Sequence, residues 1–295
     1  MRPIGLAGRC ARPLLTLATA LTMLGGAAPA IADTVATTGL PRHTPVPGGV
    51  ALIELPTGTT DARFGGLPVL IRDGRAIVGL ALTTTPGIQV LELDGGRKIE
   101  FSVADKTYPV QHVRIKDQGK VDLSDENLQR VAREHAEIKA LKHQFNRGTT
   151  PDTQFVAPAD GPKSGRFGAR RIFNDQPRAP HVGLDFAVPL GAPIKSAAAG
   201  TVLATGDYFF NGKTVYVDHG QGLISMYCHL DAIAVAVGQP VTRAQRLGSA
   251  GATGRASGPH LHWSVILNGA MVDPEVFLPV EDLSPAPKKS APASP

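Results

Sequence analysis

Five of the nine histidines in this 295-residue chain fall between His181 and His262, and four of those five sit in three short motifs. The first is Pro180-His181-Val182-Gly183-Leu184-Asp185-Phe186, an imidazole and a carboxylate four residues apart. On a straight strand those side chains would stand roughly 13 Å apart, too far to share an ion whose ligand bonds are about 2 Å long. The chain must bend between them; Gly183 permits the bend, and Pro180 argues against a helix that would bring the pair together. The second motif, His260-Leu261-His262, runs into Trp263-Ser264-Val265-Ile266-Leu267, which reads as a strand. Both imidazoles then project from one face, roughly 6 to 7 Å apart. That separation is awkward for two ligands of one ion and suits one ligand beside one group that faces a metal-activated water. The third motif, Tyr227-Cys228-His229-Leu230, ends another strand, and simple alternation points Tyr227 and His229 one way and Cys228 the other, into packing.

One carboxylate and two imidazoles with an open fourth position is the composition of a catalytic zinc site, in which the ion acidifies water to near neutral pH. Two further histidines are left for proton transfer. Each motif alone is weak, since His-x-His on a strand is as often packing as metal binding, and their co-occurrence carries the reading. At these residues the sequence resembles the lysostaphin-type, LytM-like zinc metallopeptidases that cleave peptidoglycan peptides, whose pattern is His-x3-Asp, then His-Leu, then His-x-His. The resemblance continues through Gly191-Ala192-Pro193-Ile194, Ala199-Gly200-Thr201-Val202, Asp218-His219-Gly220 and Gly254-Arg255-Ala256-Ser257-Gly258-Pro259. It implies His181, Asp185 and His262 as ligands of one Zn2+, His229 and His260 as the catalytic pair, and a peptidoglycan peptide as substrate, hydrolysed by zinc-activated water. His219 reads as a structural turn residue and Tyr227 as packing. The arginines of the run 166–171 are candidate contacts for substrate carboxylates.

Two other classes compete. A catalytically silent relative that regulates another cell-wall hydrolase would keep the fold and lose ligands, whereas all five positions are filled here. A swinging-arm carrier is suggested by Val237-Gly238-Gln239-Pro240-Val241, which lacks the lysine such a hairpin tip needs.

The elements that must position these residues are mainly β. Apolar runs at 50–55, 69–72, 75–82, 88–93, 98–103 and 108–115, separated by turn signals such as Asp73-Gly74 and Gly95-Gly96, predict a small antiparallel sandwich over 33–118. Over 124–145 the period changes: Leu128, Val131, Ile138, Leu141 and Phe145 recur at helical spacing behind Ser124 or Asp122 as N-cap. This connecting amphipathic helix and a Gly/Pro/Thr-rich linker occupy 119–154, and His135 and His143 on the helix have no acidic or cysteine partner at ligand spacing. Strand signals broken by glycines return over 155–280, the expected metallopeptidase domain with an open groove, and 281–295 has the composition of a disordered tail.

Hydrophobic content of 42% and charged content of 19% belong to the globular class and exclude global disorder. Arg2, Arg9 and Arg12 before an apolar run at 14–28, followed by Ala30-Ile31-Ala32, form a signal peptide pattern over 1–32, so the mature chain is expected in the periplasm of a Gram-negative cell or secreted, with no transmembrane anchor after cleavage. Loss of the three arginines takes the formal charge from +5 to +2, which gives no case for a nucleic-acid partner. Cys10 leaves with the signal, so Cys228 is alone and no intramolecular disulfide can form. Oligomeric state leaves no sequence signal.

Overall fold

The computed structural model describes residues 39–113, 123–173, 176–177 and 179–283. The expected signal segment and, from residue 284 on, the expected tail lie outside these residues; Val280–Leu283 forms a short 3-10 turn. Among the described residues no helix is long and apolar enough to cross a membrane.

The N-terminal part is two antiparallel sheets. One has three strands in the order Val50–Glu54, Arg75–Gly79, Leu70–Arg72, and the other has four in the order Leu67–Pro68, Ala62–Phe64, Gly87–Leu93, Lys98–Val103. Between them lies a cluster of Ala51, Ile53, Val78, Leu80, Leu91 and Val103 with their neighbours. The three-stranded sheet is buried on both faces, which explains its unbroken apolar runs. Ala51, Val69, Ala76 and Val78 face that cluster, while the alternating Val50, Leu70 and Ile77 enter the main C-terminal core beside Leu223, Tyr227 and Trp263. Fully burying a Leu or Ile side chain contributes about 1.5–3 kcal/mol, so the two parts are held together by more than their connection. Asn268 adds a polar link: its Oδ1 accepts from the Gly79 N–H at 2.6 Å and its Nδ2 donates to the Gly79 carbonyl at 3.1 Å.

The strand expected over 108–115 forms at Val110–Val113, but it does not join the sandwich. It pairs in parallel with Arg170–Phe173, whose other neighbour is Gln176–Pro177. Tyr108 stands at the departure: its ring packs on Phe167 and beside Gly168, and the strand that follows pairs just beyond them.

The helix runs Asp125–Lys142, capped by Ser124, whose Oγ accepts from the Asn127 N–H at 3.3 Å. Val131 is buried and Ile138 and Leu141 pack on the sheet below, whereas Leu128, expected on the same face, is exposed.

The C-terminal sheet has ten strands. Its main path is Pro240–Val241, Gly200–Tyr208, Gly212–Gly220, Leu223–Ile233, Leu261–Leu267, Leu184–Phe186, Lys163–Gly165, with Pro193–Lys195, Arg246–Ala250 and Ala270–Val272 attached beside it. One face carries Leu223, Tyr227, Leu261, Trp263, Val265 and Leu267 into the main core. The other carries Ile224, Met226, Cys228 and Ile266 under the helix. His262 and Ser264 alternate with the main-core residues, so they point to this second face.

Candidate metal centre

Asp185 and His262 are opposite one another in the antiparallel pairing of their strands. His181 precedes the strand Leu184–Phe186, and the bend between the two motif residues is centred at Gly183. The bend requires no left-handed backbone. Gly183 is needed for space: a Cβ there would lie 2.6 Å from His262 Nε2 and 2.6 Å from the Trp263 carbonyl oxygen. Gly165 faces Asp185 from the other side in the same way, and a Cβ on it would lie 2.2 Å from Asp185 Oδ2. Two glycines thus let neighbouring backbone close around the carboxylate and the second imidazole.

Three ligand atoms converge. His181 Nε2 lies 2.9 Å from Asp185 Oδ1 and 2.9 Å from His262 Nδ1, and His262 Nδ1 lies 2.8 Å from the same Oδ1. Among the described residues these three form a group able to hold a metal ion, with all ligand atoms within 4.8 Å of one another. The remaining ring nitrogens set the protonation. His181 Nδ1 faces the Arg166 carbonyl at 2.9 Å and must donate to it, leaving a lone pair on Nε2. His262 Nε2 has the Ser264 hydroxyl at 2.9 Å, which leaves Nδ1 as its inward atom. Burial opposes ionisation of Asp185, yet attraction to a proton held between its carboxylate and the rings of His181 and His262 outweighs burial and keeps the carboxyl well below the ordinary range. Two imidazole lone pairs and a carboxylate aimed at one point repel unless a proton or a cation lies between them. A nitrogen-and-oxygen donor set of this kind, each imidazole fixed by an outer hydrogen bond, fits Zn2+.

His229 reaches the site by a route that alternation does not foresee. Tyr227 pairs with Val215 while Leu230 pairs with Lys213, so this strand carries one residue more than its neighbour. His229 takes φ +61 in that bulge. Tyr227 and Leu230 both stay in the main core, and Cys228 and His229 both turn to the other face, correcting the expectation that Tyr227 and His229 point together. The bulge is tied down by His229 N–H to the Asn211 carbonyl at 2.8 Å and by His229 Nδ1 to the Thr253 carbonyl at 2.9 Å. The His229 ring then lies 4.7 Å from that of His260 and 6.0 Å from that of His262, centre to centre.

His260 stands just before the strand Leu261–Leu267, bridged to Gly251, with Nδ1 against the Gly258 carbonyl at 2.8 Å. His229 and His260 each have Nδ1 committed to a carbonyl, so each offers an Nε2 lone pair. Burial, then the imidazoles of His262 and His260, push His229 down to about 3, which keeps it neutral at physiological pH. Two imidazoles beside a three-ligand centre are placed to exchange a proton during hydrolysis.

The other candidates separate from the site. His219 is buried with Nδ1 on the Ala199 carbonyl at 2.7 Å and Nε2 on Ser225 Oγ at 2.7 Å, and that hydroxyl lies 2.9 Å from the Tyr227 hydroxyl. Tyr227 in turn accepts from the Ala197 N–H at 2.8 Å. His135 and His143 are exposed on the helix and at its end. Burial pushes the Cys228 thiol up to about 12, so it is an inert packing group. In the run 166–171 the part that touches the centre is the Arg166 carbonyl. Sequence reasoning left out Ser264, Thr253 and Gly165; the only signal for them was proximity to the motifs, since backbone carbonyls and close approaches leave no residue pattern.

Residues 179–274 match peptidase family M23, and residues 43–106 match the N-terminal domain of the same family. A crystal structure from Pseudomonas aeruginosa that carries the peptidase M23 designation is 47% identical, covers 79% of this chain and 94% of that one, and superposes with a TM-score of 0.66. The peptidoglycan DD-endopeptidase ShyA of Vibrio cholerae is 41% identical over 111 residues, 37% of this chain and 26% of that protein. The DD-carboxypeptidase/endopeptidase Mpg of Neisseria meningitidis is 38% identical over 109 residues, 37% of this chain and 25% of that protein. The matched segment therefore spans about a quarter of the length of these two relatives.

Proposed function

The chain belongs to peptidase family M23, and from that premise we propose that it is an exported zinc metalloendopeptidase that hydrolyses peptide cross-links of bacterial peptidoglycan. The observation that carries the reading is the convergence of His181 Nε2, Asp185 Oδ1 and His262 Nδ1 beside two imidazoles that are each tied to a carbonyl through Nδ1. When bound, Zn2+ would supply Lewis acidity, polarising a peptide carbonyl and bringing the pKa of water toward neutrality. The protein's own share is positional. Arg166 and Ser264 hold the two ligand rings in the tautomers that face the ion. His229 Nε2 and His260 Nε2 accept the proton released as water attacks, return it to the departing amine, and steady charge on the tetrahedral carbon's oxygen.

The names of ShyA and Mpg point to bonds between D-amino acids. The fitting substrate here is the D-alanine to diaminopimelate cross-link of a Gram-negative wall, reached after removal of residues 1–32 and export to the periplasm. A silent regulator of another hydrolase is disfavoured because its site positions would be free to change, and all five, three ligands and two further histidines, are filled. Digestion of defined cross-linked muropeptide dimers by the zinc-loaded protein, followed by mass spectrometry, tests the proposal. Monomers are the expected product; intact dimers alongside stoichiometric zinc would favour the regulator.

A further inference from the structure

The segment 166–169 is the outer support of the ligand His181. The Arg166 carbonyl takes the His181 Nδ1 proton, the Gly168 N–H donates to the His181 carbonyl at 2.7 Å, and the His181 N–H donates to the Ala169 carbonyl at 2.9 Å. No regular strand of the C-terminal sheet contains these four residues. They are gripped instead from the N-terminal side. The ring of Tyr108 lies against Gly168, where even a Cβ would come within 2.0 Å of it, and Gly168 has φ +80, which favours glycine there in any case. Tyr108 meets Phe167 edge-on with ring centres 6.3 Å apart. Phe167 is buried against Gly48, and the Tyr108 hydroxyl donates to the Pro47 carbonyl at 2.7 Å. The next residue after that contact, Pro109, accepts from the Arg170 N–H at 2.8 Å.

We propose that Tyr108 is a positioning residue for the metal centre: it clamps the segment 166–169 against the N-terminal sandwich and so fixes the orientation of His181. The inference rests on the zinc reading of the site. It gives the N-terminal region a share in building the centre, because a ligand ring left free to turn loses the fixed tautomer and direction that favour the ion, and losing such outer support costs about 10- to 100-fold in metal affinity.

The test uses the full chain in four forms: wild type, Tyr108→Ala, Tyr108→Leu and Leu91→Ala. Leu91 is buried in the separate cluster between the N-terminal sheets, so its loss reports plain destabilisation. Two quantities are read: zinc affinity by competition with a chromophoric chelator, and hydrogen exchange at the amides of Gly168 and His181 in the metal-free protein. Tyr108→Ala should weaken zinc binding by about 10- to 100-fold and speed exchange at both amides. Tyr108→Leu, which keeps bulk and loses the ring contact with Phe167 and the hydroxyl bond to Pro47, should move both in the same direction and by less, and it decides the matter if the alanine variant does not fold. Leu91→Ala should lower the melting temperature and leave both readings within about twofold. Unchanged zinc affinity and exchange in a folded Tyr108 variant would overturn the proposal, as would an equal shift in Leu91→Ala. Wild-type protein without zinc affinity would sink the peptidase reading instead, and the exchange data would then judge the clamp by themselves.

Discussion

The N-terminal sandwich and the C-terminal sheet are both antiparallel, yet they bury different chemistry. The buried residues between the N-terminal sheets are all aliphatic, with Phe64 and Phe101 packed against them. Among the described residues every buried polar or charged side chain lies at Thr153 or later, including His181, Asp185, His219 and His229. Burying a polar group without a partner costs roughly 1–3 kcal/mol. The C-terminal sheet accepts that cost repeatedly and offsets it at its buried histidines with hydrogen bonds aimed at single atoms, whereas the sandwich avoids it. Polar burial therefore marks the region that holds the candidate metal centre. It does not say which buried histidine takes part, because His219 is as deeply buried as His181 and faces the opposite side of the sheet.

The comparison is tested most severely at the ligands. His181→Ala, Asp185→Ala or His262→Ala removes one of three protein donors, and zinc content by elemental analysis and muropeptide hydrolysis should vanish together. A variant that keeps both would break the assignment. A smaller and different effect is expected at the bases. His229→Ala and His260→Ala should retain zinc while kcat falls roughly 100- to 10,000-fold. If His260→Ala loses the metal and His262→Ala holds it, those two residues exchange roles.

The smallest effect sharpens the comparison within the buried histidines. Burial is the main cause that pushes His219 down to about 4 from its ordinary 6.5. Between those values the unfolded chain takes up a proton that the folded chain refuses. The stability involved is thus complete above pH 6.5 and is lost as pH falls toward 4, amounting to about 3 kcal/mol. Urea unfolding of wild type and His219→Gln at pH 7.5 and 4.5 should show a shallower pH dependence in the variant, with zinc content unchanged at pH 7.5. Equal slopes would mean that His219 is not held neutral by its burial, and lost zinc would put it in the site after all.

The convergence of His181, Asp185 and His262 was readable because few side chains offer metal donors and because the spacing within each motif is short, although the motifs themselves lie far apart in the chain. The cap at Ser124 was readable for a similar reason, since the hydroxyl acts on the residue three positions away. His229 shows where that legibility ended. Alternation put it beside Tyr227, and the inserted residue that turns it toward His262 depends on pairing with another strand and on Thr253, 24 residues on. Histidine is tolerated at positive φ without announcing it. Val110–Val113 was readable as a strand but not as a partner of Arg170–Phe173, because parallel pairing across the helix leaves no turn signal. The part played by Arg166 was hidden for a plainer reason: its carbonyl acts, and every residue has one.

Asn268 and the shared core beneath it carry a consequence for how the molecule comes apart. Its amide occupies both hydrogen-bonding groups of Gly79, as a neighbouring strand would, and close by Val50, Leu70 and Ile77 lie among residues of the C-terminal core. Separating the sandwich from the sheet would strand that amide and bare those three side chains to water at the same moment. Heating should therefore melt the two segments as one cooperative unit, with a single calorimetric peak, even though each matches a family segment of its own.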